Sequence, residues 1–282
     1  VDDAARSKSP LALALESVRE GSAPIKLRDP VSVAAVYAGR GYSPLWYSGG
    51  RLNRGGRDLF DVLAQAKEHG LNPEHYVPGA MNWNPSPPAM RELLLTDALL
   101  AYSRDLGSGR SDPAAVYWKW EPPVGRNTAA SISHDVVTFL QSVPQSGRNL
   151  SARSLAQLLQ GFEPTHRDYQ LLKESLMAHL AVVEKGGWPT IQPGPDIYPG
   201  DAGERVVQLC RRLFPAGDFS GQEDFYGEAL AEAVFLFQKQ MGLPENGIVG
   251  RETLAALNAS AEERVQCIAG NMDRLRWLPK TL

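Results

Sequence analysis

Apolar positions recur along this chain at helical spacing, in short runs cut by proline and glycine. Val33, Ala34, Val36 and Tyr37 follow Pro30, whose fixed φ suits a first helical turn, and the run stops at Gly39 to Gly41. Leu59, Val62, Leu63 and Ala66 repeat at i, i+3, i+4 and i+7 and close at His69-Gly70. Leu95, Leu99, Tyr102 and Leu106 predict a helix ending at Gly107. Val136, Leu140 and Val143 predict another, as do Leu155, Leu158 and Leu159, and Tyr169, Leu172, Leu176, Leu180 and Val183 a longer one. Between them, Tyr42 to Trp46 reads as extended chain and Pro78 to Pro88 as a loop. Val116, Trp118 and Trp120 alternate with Tyr117 and Lys119 as a short extended segment stopped by Pro122-Pro123.

From Tyr198 to Leu257 the pattern tightens into three short amphipathic helices. Asp201 with Glu204 reads as a capping box, opening a helix whose stripe is Val206, Leu209, Cys210 and Leu213 and which Pro215 and Gly217 end. Leu230, Ala233, Val234, Phe237 and Met241 form the second stripe, with Gly242 at the C′ position and Pro244 as a stop. Glu245-Asn246-Gly247 is turn chemistry, and Gly250 precedes a third helix carrying Leu254 and Leu257. Helices this short bury their stripes only against one another, so a bundle of roughly 60 residues is expected. Trp188 through Pro199, rich in proline and glycine, reads as a linker into it. After it, Ser260 and Glu263 form a capping box for a helix through Val265, Ile268, Met272 and Leu275.

With no strand–helix–strand alternation and no repeat, the fold class is mainly α. The expected division is a helical scaffold at 1–190, the three-helix bundle with its linker at 191–258, and at 259–282 a helix returning to the scaffold. Composition adds exclusions: 43% hydrophobic and 22% charged residues are ordinary for a globular chain, and a net charge of −3 offers no attraction for nucleic acid. No apolar run reaches the ~20 residues of a membrane-spanning helix. Two cysteines, Cys210 and Cys267, exclude a disulfide framework and leave one disulfide open beside a buried thiol at Cys210.

Catalytic patterns are missing: no Gly-x-Ser-x-Gly elbow, no Ser-x-x-Lys pair, no His-Glu-x-x-His and no phosphate-binding glycine loop. His69, His75, His134, His166 and His179 are scattered, so neither a metal nor another cofactor is expected. His69 suits the carbonyls of its helix end and His75 a surface loop. The adjacent carboxylates Glu223-Asp224 and Glu262-Glu263 have the residue type a glycosidase needs, but solvated helix ends look the same, and Glu263 is already a cap.

Gly200-Asp201-x-Gly203-x-x-Val206-x-x-Leu209, then Ala233-Val234-x-x-Phe237-Gln238-x-x-x-Gly242-Leu243-x-x-x-Gly247-x-x-Gly250-x-x-Thr253-x-x-x-Leu257, resembles the three-helix peptidoglycan-binding module. Asn246 stands where that family more often has Asp, with the same turn geometry. The resemblance implies peptidoglycan as partner. Wall glycans and stem peptides are recognised by aromatic faces and a few fixed polar groups. Phe225 and Tyr226, in the loop before the second helix, and Gln238, Asn246 and Arg251, near helix ends, are therefore the candidate contacts. Phe237 belongs to the core, Asn246 serves turn geometry equally well, and Trp118 and Trp120 either line a second groove or are buried.

The earlier part resembles the scaffold that precedes this module in large periplasmic L,D-transpeptidases. The phrases are Tyr42-x-Pro44-Leu45-Trp46, His69-Gly70-Leu71-Asn72-Pro73-x-x-Tyr76, Leu95-Thr96-x-Ala98, Gly109-Arg110-x-Asp112-Pro113, Gly186-Gly187-Trp188-Pro189 and Asn271-Met272-x-Arg274-x-Arg276-Trp277-Leu278-Pro279. This implies an exported, periplasmic protein that positions the sacculus for stem-peptide cross-linking, with other cell-wall enzymes as further partners. The family's nucleophile is a cysteine in Ser-x-Gly-Cys, and neither Cys210 nor Cys267 has that context. No catalytic residue is expected in these residues. Two other classes stay open: a peptidoglycan hydrolase using carboxylates, and a structural protein-interaction module.

Overall fold

The computed structural model describes residues 9–77, 87–117, 119, 121, 127–145, 150–214 and 224–279. It is mainly helical and divides into two compact units, residues 1–176 with 268–282, and residues 177–267. The first unit holds α1 (Pro10–Arg19), α2 (Pro30–Gly39), a hairpin of β1 (Tyr47–Ser48) and β2 (Arg51–Leu52), and α3 (Arg54–Ala64). It continues with α4 (Pro88–Ser108), α5 (Pro113–Val116), α6 (Ala129–Ser142) and α7 (Ala152–Gln160). α8 (Arg167–Glu184) begins in the first unit and ends in the second. The second holds α9 (Glu204–Leu213), α10 (Glu228–Met241) and α11 (Arg251–Asn258), and α12 (Ala261–Leu275) ends back in the first.

α4 is the axis of the first unit. The sequence shows only one stripe on it, yet Leu93, Leu95, Leu99 and Leu100 are all fully buried, so neighbours surround it. α1, α2, α3 and α6 pack against it, and α7 packs on α3. It also buries polar side chains, two of which, Glu92 and Asp97, take the backbone of irregular segments. The Glu92 carboxylate, 1% exposed, accepts the amides of Leu45, Trp46 (3.1 Å) and Tyr47 (2.9 Å) and the Tyr37 hydroxyl (2.9 Å). Burial raises its pKa against the downward pull of these bonds. Thr96, one turn on, accepts the Trp46 indole N–H at 2.9 Å and lies 2.6 Å from the Tyr37 hydroxyl. Asp97 accepts the amides of Arg28 (2.8 Å) and Asp29 (2.9 Å).

The returning end of α12 repeats the device. Asp273 accepts the amides of Arg110 (2.8 Å) and Ser111 (3.1 Å), 163 and 162 positions earlier. Arg276, 1% exposed, donates to the Tyr169 hydroxyl at 2.8 Å and to the His69 carbonyl at 2.5 Å. Gly109 has φ +81°, and a Cβ there would lie 2.9 Å from the Trp277 indole nitrogen, so this junction requires glycine for backbone and space. The Gly109-Arg110 and Arg276-Trp277 phrases, distant in sequence, are thus in contact.

Several local expectations need correction. Tyr42 to Trp46 feeds a hairpin whose Gly49-Gly50 turn has both φ values positive; two-residue strands are too short to show an alternating pattern. The helix through Ala66 tightens into a 3-10 turn over Gln65–His69. Gly107 lies inside α4, and Val116 ends a helical turn that Asp112 caps. Residues 78–86, Trp118, Trp120, Pro122-Pro123, Pro215, Gly217 and Glu223 lie outside the described residues. Cys210 is buried and Cys267 exposed, and the two form no disulfide. Among the described residues no helix is long and apolar enough to cross a membrane.

His69 does not serve its helix-end carbonyls: its Nδ1 sits 3.2 Å from Glu163 Oε1, which also takes Lys173 Nζ at 2.7 Å. Burial alone would push the Glu163 carboxyl up, but the hydrogen bonds and charges of His69 and Lys173 outweigh it and hold it at about 2, against an ordinary 4.5. A carboxyl depressed on folding stabilises the folded state above its unfolded pKa, and the gain is lost as pH falls toward the folded value. The Glu163 contribution, at most roughly 3 kcal/mol by this shift, is therefore present above about pH 4.5 and gone near pH 2. In urea titrations the stability gap between the native chain and Glu163→Gln should close across that window; a gap independent of pH would contradict the pairing.

Candidate functional site

The second unit is built around Ile191, Ile197, Val206, Leu209, Tyr226, Leu230, Val234, Val249 and Leu257. Two of these, Ile191 and Ile197, come from the stretch read as a linker. The stretch is instead an arm laid on the helices. Asn258 accepts the Ile191 amide and donates to its carbonyl, both at 2.8 Å. Arg205 holds the carbonyls of Gln192 (2.9 Å) and Pro195 (2.6 Å), and Ile197 pairs with Val249 through two backbone hydrogen bonds. Trp188 anchors the arm's start, its indole N–H donating to the Ala259 carbonyl at 2.8 Å and its ring 4.0 Å below the Arg212 guanidinium. Burial lowers the Arg212 pKa to about 10. Composition marked this arm as loop, but ordered backbone with few apolar residues packs when helix side chains take its polar groups.

The start of α9 also differs from expectation. Asp201 is not its cap: the carboxylate accepts the Tyr198 amide at 2.7 Å, closing a turn, and the Asp201 carbonyl accepts the Tyr226 amide at 2.8 Å. Gly203, φ +121°, precedes the helix without a side-chain cap. The stripe on α9 is buried as expected, and Gly242 takes the left-handed C-cap of α10 with φ +66°. On α10 the stripe ends on Gln238 rather than Met241, which is 38% exposed.

Gln238 is the hub of the unit. Its Oε1 accepts the amides of Asn246 (3.1 Å) and Gly247 (2.9 Å), and its Nε2 donates to the Ile248 carbonyl (2.9 Å) and Thr253 Oγ1 (3.1 Å). One amide thus ties α10, the 246–248 turn and the first turn of α11 together. Tyr226, 1% exposed, donates its hydroxyl to the Gly247 carbonyl at 2.5 Å, and burial raises its pKa. Asn246 Oδ1 accepts the Ile248 amide at 2.9 Å.

The five candidate contacts therefore separate. Tyr226 and Gln238 are buried and shape the unit from inside; Asn246 is at the surface with its side chain spent on the turn. Phe225, 43% exposed, and Arg251 face solvent. Backbone pairing brings these last two to one arm: residues 197–203 bond on one side to 224–226, through the Ala202–Phe225 bridge, and on the other to Val249. Tyr198, 48% exposed, lies on the same arm. Sequence reasoning missed it; its aromatic character within a Pro-Gly stretch was the available signal. A groove of about 440 Å³ opens at the first turn of α11, lined by Pro193, Asp196, Gly250, Arg251 and Leu254 among others. Arg251 and Asp196 give this groove a guanidinium and a carboxylate, and Tyr198 and Phe225 expose aromatic rings on the arm and on the segment paired with it.

A family model described as Scaffold domain matches residues 31–176, just over half of the chain. The chain belongs to the scaffold domain family. A second model, "Putative peptidoglycan binding domain", matches residues 202–257, which covers α9 to α11 but leaves out the arm before them. No curated protein matches the chain. The scaffold match begins one residue into α2 and stops at Leu176, within α8, where the first unit gives way to the second. Peptidoglycan is thus the partner that the second domain brings to this scaffold domain protein, and with it an association with the cell envelope.

Because Gln238 satisfies amides and acceptors on two elements, the 246–248 turn and α11, Gln238→Leu, similar in size, removes these partners. A loss of roughly 3 kcal/mol is expected in the second unit, read as faster amide exchange at Asn246, Gly247 and Ile248. Unchanged exchange there would contradict the hub role.

Proposed function

We propose that this chain is the scaffold and wall-binding portion of a bacterial L,D-transpeptidase, acting in the periplasm to hold the sacculus where stem peptides are cross-linked. The observation that carries the reading is the order of the two matched domains, scaffold at 31–176 and peptidoglycan-binding at 202–257. It is supported by the Asn271 to Pro279 phrase, whose Arg276 and Trp277 are buried in the first unit. The chemistry of cross-linking needs a thiolate in Ser-x-Gly-Cys, which these residues lack, so the role assigned to them is binding and placement. The contact surface is Phe225, Tyr198 and Arg251, with Tyr226, Gln238 and Asn246 holding the segments that present them. The hydrolase alternative loses support from Glu263, whose carboxylate accepts the Ser260 amide at 2.8 Å as a helix cap.

The chain should pellet with purified sacculi and show no transpeptidation. Phe225→Ala combined with Arg251→Ala, both at exposed positions, should weaken pelleting about tenfold, as expected when an aromatic and an arginine anchor are truncated, with the melting temperature unchanged. Pelleting insensitive to both changes would overturn the assigned surface, and no pelleting at all would overturn the function.

A further inference from the structure

The first unit carries a cleft of about 940 Å³, of the size of small-molecule sites, that the wall-binding face does not use. Its floor is Leu45 and Glu92, both buried, and the Glu92 carboxylate is fully occupied by the 45–47 amides and Tyr37. One wall is the hairpin turn Gly49-Gly50, where the absence of side chains lets a ligand approach the backbone. At the rim stands Tyr42, with φ +59°, a conformation that bulky residues rarely hold. Tyr42 is 38% exposed and its amide closes the end of α2 on the Tyr37 carbonyl at 2.8 Å, so the core does not demand an aromatic there and the ring is offered to the cleft.

The polar groups described on the cleft, which also include Asn53 and Ser151, narrow the class of ligand. Ser43, Ser48 and Gln145 are neutral, and Arg54, its side chain 84% exposed and 3.9 Å from Asp58, is the cation. Among the described residues, no lining acid has a spare oxygen for a cationic ligand, and Arg54 alone is too little charge for a polyphosphate. An aromatic face above neutral hydroxyls and an amide suits a sugar, whose C–H face lies on a ring while its hydroxyl and acetamido groups take hydrogen bonds.

We infer that this cleft is a second carbohydrate site, on the scaffold itself, taking a short run of N-acetylated amino sugars. The choice of sugar rests on the wall-binding reading; the site does not. Two sites on one chain engaging one polymer raise avidity without any change in either contact.

The test is amide NMR of the whole chain titrated with the β-1,4-linked tetramer of N-acetylglucosamine. Saturable shifts are expected at Gly49, Gly50 and Gly55, and they should persist in the Phe225→Ala, Arg251→Ala double variant. Tyr42→Asn removes the ring while keeping a residue that tolerates positive φ, and should weaken these shifts at least fivefold. Arg54→Ala, at an exposed side chain, should weaken them two- to fivefold. No saturable shift at the three glycines, or shifts indifferent to Tyr42→Asn and Arg54→Ala, would overturn the proposal. Pelleting of the same samples with sacculi keeps the two readings apart: pelleting without shifts removes the cleft and leaves the wall-binding surface, and shifts without pelleting do the reverse.

Discussion

An irregular segment packed into an interior must have its backbone amides and carbonyls taken, and both units of this chain depend on how that is done. Side chains projected from helices take them. Glu92 on α4 gathers the amides of 45–47, Asp97 those of 28–29, and Asp273 near the end of α12 those of 110–111. In the second unit Gln238 takes the 246–248 turn and Asn258 the arm at Ile191. A charged carboxylate in an interior is costly unless its oxygens are filled, and Glu92 meets that condition by accepting several donors at once.

These anchors place the surfaces proposed to carry function. Glu92 holds the strand-like run that becomes the floor of the scaffold cleft and leads into the Gly49-Gly50 turn. Gln238, together with Tyr226, fixes Gly247, and the chain from there reaches Val249, which pairs with Ile197 on the arm. Phe225 and Arg251 flank that arm because of backbone pairing. The groups proposed to meet a polymer are few and exposed, while Tyr226 and Gln238, which hold their segments in place, are buried.

The helices were legible because their stripes repeat at helical spacing: α9, α10 and α11 lie where Val206, Leu230 and Leu257 indicate, and the Ser260–Glu263 capping box is in place. What the sequence hid was partnership at long range. Nothing in the spacing of Asp273 and Arg110 says that one will accept the other's amide, and an Asp three residues before a Glu looks like a cap whether or not it closes a turn, as Asp201 does. The arm failed for a related reason: its composition is that of a loop, and its order comes from Asn258, Arg205 and Trp188 elsewhere in the chain. Of the proposed binding surface, Phe225 and Arg251 were legible as residue types beside helix ends, Tyr198 was not, and burial of Tyr226 and Gln238 emerged only with the fold.

Wall polymer is proposed to meet the arm and the segments paired with it. Hydrogen–deuterium exchange of the whole chain, with and without soluble glycan–peptide fragments released from sacculi, tests it most directly. Slowed exchange is expected within 197–203, 224–227 and 249–255, the segments that carry Tyr198, Phe225 and Arg251. Exchange unchanged in all three, at fragment concentrations that saturate binding, would contradict it.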